Sequence, residues 1–179
     1  RSLGWFVGGV LAAAVIATTA LWALQERILF PRHLVVDDRI RLPAGGERWS
    51  LTAADGTTLA AVRLPAAGTD RARGTIVGFA GNAMNTERFA LALAALAPGF
   101  DVVSAHYRGY GASGGRPGET ALIADGEHLI ETLAGRDDTA TPIVVVGVSL
   151  GSGVAAATAT RDDVAGAVLI TPFDSITRR

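Results

Sequence analysis

A serine flanked by two glycines lies where an apolar run meets a stretch that favours a helix. Residues 147–151 read Gly-Val-Ser-Leu-Gly, after the apolar residues 143–146 and before the small residues 152–160. At a sharp turn from a buried strand into a helix, a serine hydroxyl points away from the sheet, and the glycines remove Cβ atoms that would collide. The pattern therefore predicts that Ser149 is a nucleophile. The alternative is that Ser149 is a small residue in an ordinary glycine-rich turn.

The same pattern occurs a second time, at residues 111–115, which read Gly-Ala-Ser-Gly-Gly. No strand pattern leads into it, and Arg116-Pro117-Gly118 follows it instead of a helix. Because the strand-turn-helix context is what gives the pattern its meaning, we predict that Ser113 lies in a loop and is not the nucleophile.

A nucleophilic serine needs hydrogen-bond donors for the oxyanion that forms when it attacks a carbonyl carbon. The backbone N–H of Leu150, next to the serine, is one predicted donor. The second is predicted in the loop Gly81-Asn82-Ala83, which follows an apolar strand and precedes a helix. Asn82 is the best choice, and Ala83 could take its place. The alternative is that this loop is only a tight turn.

The base and the acid that would complete such a site are less evident. No histidine follows Ser149 in this sequence. His33 lies in a polar connector, His106 ends an early strand and His128 falls within a helix, so we expect each to be a structural or surface residue. Asp174, in the segment after the last predicted strand, is a candidate acid. The alternative for Asp174 is a loop aspartate that caps a helix.

The N-terminal part of the sequence predicts a membrane anchor. Residues 3–24 carry no charge, and Trp5 and Trp22 stand near the two ends. As a helix, this segment spans about 33 Å and can cross a bilayer core of about 30 Å, while tryptophans favour the two interfaces. We therefore predict a single-pass anchor at residues 1–26. The alternatives are a cleaved signal peptide and a buried core helix.

The charged residues do not decide on which side of the membrane the rest of the chain lies, and they argue against nucleic acid as a partner. Four arginines follow the anchor, at positions 27, 32, 39 and 41, and only Arg1 precedes it, which favours a cytoplasmic location of the rest. Because residues upstream of Arg1 could change this count, we leave the side open. All 16 basic residues are arginine and the net charge is -1, so nothing suggests binding to nucleic acid. Without cysteine, the redox compartment cannot be inferred.

Strand and helix patterns alternate after a polar connector at residues 27–46. Strands at 48–53 and 58–64 flank Asp55-Gly56, a signal for a hairpin turn. Further strands are predicted at 75–79, 101–105, 143–146 and 165–170, and helices at 86–96, 119–133 and 152–160. This alternation predicts an α/β fold with a parallel sheet covered on both faces.

Four blocks of the sequence resemble the α/β-hydrolase superfamily, at residues 81–83, 106–117, 147–153 and 171–175. They are most similar to its bud-emergence-like, abhydrolase-domain branch, which includes membrane-associated hydrolases of acyl thioesters and lysophospholipids. The resemblance implies a serine esterase that cleaves an ester or thioester of a small molecule or lipid through an acyl-serine intermediate, with no metal or organic cofactor. It also implies that residues 47–179 are the N-terminal part of an α/β-hydrolase domain, with about six of its eight strands.

The sequence departs from that family at two positions. Ala80 stands where the family usually has a histidine, and His106 stands where it usually has an aspartate. The family pattern orders the triad as Ser, Asp, His, which puts the acid and the histidine beyond Arg179. We therefore expect residues 1–179 alone to be inactive. The alternative function is a non-catalytic, membrane-anchored pseudoenzyme or interaction module of the same fold.

Overall fold

The N-terminal unit of the chain is a single apolar helix. The computed structural model describes residues 2–35 and 40–172, and the chain divides into two units, residues 1–31 and 32–179. The first unit contains helix α1, Ser2–Leu29. Gly4–Gln25 has a mean hydropathy of 2.0 and is 0% buried, so α1 is long and apolar enough to cross a membrane or to be a signal sequence. The helix continues into the predicted connector and ends just before Pro31, which cannot extend it.

The second unit begins with a short 3-10 helix at Arg32–Leu34 and continues as alternating strands and helices. The strands are β1 (Glu47–Thr52), β2 (Thr58–Leu64), β3 (Thr75–Phe79), β4 (Asp101–Ala105), β5 (Ile143–Val148) and β6 (Val164–Ile170). The helices are α2 (Thr86–Leu96), α3 (Glu119–Ala134) and α4 (Leu150–Thr158). The predicted bounds of β2, β3, β4 and α2 are confirmed to the residue, and the others differ by one or two residues.

The strands form one mixed sheet with the order β1-β2-β4-β3-β5-β6. β1 pairs antiparallel with β2 and β2 with β4, whereas β3, β4, β5 and β6 pair in parallel. The predicted hairpin between β1 and β2 is confirmed. At its turn, Gly56 has a φ of 83°. The N–H of Thr57 donates to the Asp55 carboxylate at 3.0 Å.

Helices cover both faces of the central strands. On one face α2 packs against β3, since a Cβ on Gly78 would lie 2.6 Å from Leu93. The next residue of the strand, Phe79, points to the other face. There a Cβ on Gly126 of α3 would lie 3.3 Å from Phe79 and 2.6 Å from Val154 of α4. The neighbouring residues Gly78 and Phe79 of β3 therefore contact helices on opposite faces of the sheet. The prediction that helices cover both faces is confirmed for the centre of the sheet.

Strand β6 is less covered than the central strands. It pairs with β5 and contacts α4, yet Val168, Leu169 and Ile170 are 50%, 39% and 44% exposed in the described part of the chain. These are the apolar residues of a parallel strand, a kind of strand that proteins normally bury on both faces. The cover on both faces therefore does not extend to β6 among the described residues.

Candidate active site

Ser149 is the single residue between a strand and a helix. β5 continues to Val148 and α4 begins at Leu150, so both elements come two residues closer to the serine than the sequence predicts. Ser149 has a φ of 49° and a ψ of -115°. A residue other than glycine rarely adopts this conformation, which costs about 1–3 kcal/mol and is found at functional sites. The predicted sharp turn is confirmed.

Three hydrogen bonds hold the strained backbone of Ser149. Its N–H donates to the carbonyl oxygen of Ile170 at 2.9 Å. Its own carbonyl accepts from the N–H of Ser152 at 2.8 Å and from the Ser152 hydroxyl at 2.5 Å. The Ser149 side chain makes no capping hydrogen bond to α4. The neighbouring structure thus supports the conformation of the backbone, and the Ser149 hydroxyl is not used to cap the helix.

The two glycines of the motif are required by close contacts. A Cβ on Gly147 would lie 2.2 Å from the carbonyl oxygen of Gly151, and a Cβ on Gly151 would lie 2.0 Å from the carbonyl oxygen of Phe79. Both distances are far below a van der Waals contact, and both partners are main-chain atoms. The start of α4 therefore rests against the carboxyl end of β3, where no side chain fits.

The loop after β3 lies next to this turn. Phe79 is paired with Gly147 in the parallel register of β3 and β5, so the residues that follow each strand emerge side by side. A Cβ on Gly81 would lie 3.5 Å from the carbonyl oxygen of Val148. The structure thus brings Asn82, Leu150 and Ser149 to the same edge of the sheet. Leu150 is also the first residue of α4, where N–H groups have no partner within the helix.

Three contacts fix the shape of the loop at residues 80–83. The Tyr107 hydroxyl donates to the carbonyl oxygen of Ala80 at 2.7 Å, and the Tyr110 hydroxyl donates to Oδ1 of Asn82 at 2.7 Å. The N–H of Gly81 lies 3.2 Å from the sulfur of Met84. Ala83 adopts a φ of 59°, again rare for a residue other than glycine. No sequence pattern singles out either tyrosine as part of the site, although both lie within one of the blocks that resemble the family.

The second glycine-serine-glycine motif has a structural role. Ser113 is buried, its hydroxyl donates to the carbonyl oxygen of His106 at 2.9 Å, and it accepts from the N–H of Ala60 at 2.9 Å. The segment forms a loop with no helix after it, so the prediction that Ser113 lies in a loop is confirmed. Its hydroxyl joins this loop to β2.

A buried arginine fixes the other side of the same loop. Arg108 makes a bidentate ion pair with Asp125 of α3, at 2.7 and 2.5 Å, and a further one with Asp55 of the hairpin turn at 2.8 Å. Hydrogen bonding to Asp125 raises the pKa of Arg108 above its usual range. The hydrogen bond from Arg108 holds the pKa of Asp55 well below its usual range. Arg108 and Asp55 are therefore both charged at neutral pH.

The histidines have the structural positions expected for them. His33 is exposed in the short 3-10 helix, and Nε2 of His128 lies 3.0 Å from the carbonyl oxygen of Thr52. His106 is buried directly after β4. Among the contacts in the described residues, none joins His33 or His128 to Ser149. The candidate acid Asp174 lies outside the described residues.

A mixed sheet with this order, helices on both faces and a serine turn after β5 define the class of protein, which is the α/β-hydrolase fold. The chain belongs to the α/β-hydrolase superfamily, and residues 70–179 match the family described as serine aminopeptidase, S33. The resemblance found in the sequence is thereby confirmed.

Relatives in distant organisms match this chain over most of its length. It is 32% identical over 171 residues to an uncharacterized protein of Mycobacterium tuberculosis, and the match covers 93% of this chain and 59% of that protein. It is 30% identical over 179 residues to protein bem46 of Schizosaccharomyces pombe, with 93% and 59% covered. The structure of the α/β hydrolase GrgF from Penicillium matches with a TM-score of 0.59 at 21% identity, over 72% of this chain and 45% of that one. The chain spans about half of the length of these proteins.

Proposed function

We propose that this protein is a membrane-anchored serine hydrolase that cleaves an ester or thioester through an acyl-serine intermediate on Ser149. The observation that carries the proposal is the strained backbone of Ser149, with a φ of 49°, as the single residue between β5 and α4. A protein that needed only a tight turn here would avoid this conformational cost by placing a glycine at the same position.

In the proposed reaction, the Ser149 hydroxyl attacks the carbonyl carbon of the substrate and its proton passes to a histidine. The negative oxygen that forms is held by the backbone N–H groups of Leu150 and Asn82, and each such donor contributes about 3–4 kcal/mol of transition-state stabilisation. The alcohol or thiol then leaves with the proton, and water hydrolyses the acyl-serine in the same way. The family resemblance implies that the histidine and its acid partner follow Arg179 in the full-length protein.

A fluorophosphonate probe tests the nucleophile, because it reacts with activated serine hydroxyls. We expect the full-length protein to be labelled, and Ser149→Ala to abolish labelling. Ser50→Ala removes an exposed hydroxyl of β1 and should leave labelling unchanged. Labelling that persists in Ser149→Ala and is lost in a folded Ser113→Ala would show that Ser113 is the nucleophile. An unlabelled but folded wild-type protein would favour the pseudoenzyme.

The leaving group is the part of the proposal that the family description challenges, since it names an aminopeptidase. Both reactions use the same nucleophile and oxyanion donors, so the substrate must be tested directly. We expect p-nitrophenyl acyl esters to be cleaved with a higher kcat/KM than amino acid p-nitroanilides. A preference for the anilides would redirect the proposal to peptide hydrolysis.

We further propose that α1 is kept as a membrane anchor. The support is its length, its exposed apolar surface, and the positions of Trp5 and Trp22, which are 83% and 72% exposed near the two ends of the helix. Attachment of this kind is apolar and is not screened by salt. We expect the full-length protein to stay with membranes in alkaline carbonate. Mature protein that begins between residues 20 and 27 in the soluble fraction would identify α1 as a cleaved signal peptide.

A further inference from the structure

Two tyrosine hydroxyls converge on the loop that would hold the second oxyanion donor. We propose that Tyr110 is a positioning residue for the oxyanion site, which sets the backbone N–H of Asn82 through the Asn82 side chain, with Tyr107 fixing the start of the same loop. The inference rests on the proposed function. It assigns a role to residues 107–113, the tyrosine segment, which the proposed reaction does not use.

The chemistry of the contact requires a neutral tyrosine. Oδ1 of Asn82 can only accept a hydrogen bond, so the Tyr110 hydroxyl must donate the one observed at 2.7 Å. Burial raises the pKa of Tyr110 to about 12, so the hydroxyl keeps its proton throughout the physiological range. The Tyr110 ring meets the Tyr107 ring edge to face, with 6.2 Å between the ring centroids, which restricts both rings. Tyr110 therefore offers a fixed donor at a fixed place.

The segment that carries the two tyrosines is itself firmly held. Arg108, between them, is bonded to Asp125 of α3 and to Asp55 of the hairpin turn. Ser113 closes the far end of the segment onto β2 through the N–H of Ala60. The second glycine-serine-glycine motif thus anchors the tyrosine segment to β2. Because the segment is held in place, the hydroxyls of Tyr107 and Tyr110 restrict the movement of the Asn82 loop.

Positioning of this loop matters because oxyanion donors act only when they lie about 2.7–3.1 Å from the developing charge. A displacement of about 1 Å can lower a rate by about 100-fold. Ala83, with a φ of 59°, would gain by relaxing to a more common backbone conformation. The bond from Tyr110 to the preceding residue opposes that relaxation. Tyr110 therefore acts on the geometry of the N–H group and does not touch the substrate.

The test is Tyr110→Phe in the full-length protein with p-nitrophenyl acetate as substrate. We expect kcat to fall by about 10- to 100-fold with KM changed by less than about 2-fold, because ground-state binding does not use the oxyanion donors. Asn82→Ala removes only the side chain that receives the bond, so it should give a similar loss, and the double variant should lose no more than either single one. Ser50→Ala, the removal of an exposed hydroxyl, should leave kcat unchanged.

A thionoester substrate separates positioning from loss of folded protein. Sulfur accepts hydrogen bonds more weakly than oxygen, so its hydrolysis depends less on the oxyanion donors. Tyr110→Phe should therefore lower the rate with the ester more than the rate with the thionoester, whereas partial unfolding lowers both equally. If Tyr110→Phe fails to fold, the same comparison on Asn82→Ala decides the question.

The outcomes distinguish the two proposals. A reactive wild-type enzyme whose kcat is unaffected by Tyr110→Phe and Asn82→Ala would overturn the positioning role and leave the proposed function intact. Additive losses in the double variant would also overturn it. A folded wild-type protein that neither hydrolyses esters nor reacts with fluorophosphonate would refute the proposed function, and the positioning role with it.

Discussion

Gly151→Ala should damage both the stability and the reactivity of this protein. The new Cβ would lie 2.0 Å from the carbonyl oxygen of Phe79, 2.5 Å from its carbonyl carbon and 2.7 Å from the carbonyl oxygen of Ala80. These are main-chain atoms at the end of β3, which is held between β4 and β5, so they cannot turn aside as a side chain would. Overpacking typically costs about 1–3 kcal/mol, and we expect about 3 kcal/mol here. That is a large part of a total stability of about 5–15 kcal/mol.

The matched control is Gly153→Ala in the same helix. A Cβ on Gly153 meets nothing within 4 Å, so this change should stabilise the helix by up to about 1 kcal/mol. The assay is the denaturant midpoint of the full-length protein for both variants, with fluorophosphonate labelling of Ser149 as a second readout. To escape the clash, α4 must move away from β3, which would displace Ser149 and Leu150 from the Asn82 loop and slow labelling by about 100-fold. Equal midpoints for the two variants would refute this account of the motif.

Two further predictions concern charge. Asp125→Asn should lower the free energy of unfolding by about 3–5 kcal/mol, because the Arg108 and Asp125 side chains are only 10% and 8% exposed. The control is Asp163→Asn. Asp163 pairs with Arg161, and these side chains are 28% and 31% exposed, so the denaturant midpoint should stay nearly unchanged. Equal losses would contradict this. The pKa of Tyr110 rises from 10.0 to about 12 on folding, so its contribution to stability is complete below pH 10.0 and is lost as the pH rises towards 12. Melting temperatures measured across this range should fall less steeply for Tyr110→Phe, and parallel curves would argue against the shift.

Local sequence patterns were sufficient to predict most helices and strands. Helix α2 illustrates why, since Asn85 caps it by accepting from the N–H of Arg88 at 3.0 Å, a contact between neighbours in the chain. The hairpin turn at Asp55 and Gly56 is equally local. Where such signals exist, the bounds of an element can be read from a few adjacent residues.

The limits of the turn around Ser149 and the roles of the tyrosines could not be predicted in this way. Leu150 and the small residues at 151–153 fit a turn or a helix equally well, so only packing against β3 reveals that α4 begins at Leu150. The hydrogen bonds from Tyr107 and Tyr110 span 27 and 28 residues. Their partners become neighbours only through the order of the strands, which no local pattern encodes. Asp174, the alternative candidate for the acid, lies outside the described residues, and the position of the acid beyond Arg179 stays a prediction.

The contacts made by Arg108 and Ser113 affect the order in which the chain folds. Both residues bond to groups 53 positions earlier, at Asp55 and Ala60, and Arg108 also needs Asp125, 17 positions later. Contacts that close long loops form late, because the chain loses the entropy of loop closure before the contact stabilises the fold. During synthesis from the N-terminus, the hairpin of β1 and β2 therefore leaves the ribosome well before the residues that fasten its turn. We expect the tyrosine segment to take its final shape only after Asp125 has emerged, so the Asn82 loop gains its hydrogen bonds from Tyr107 and Tyr110 only then.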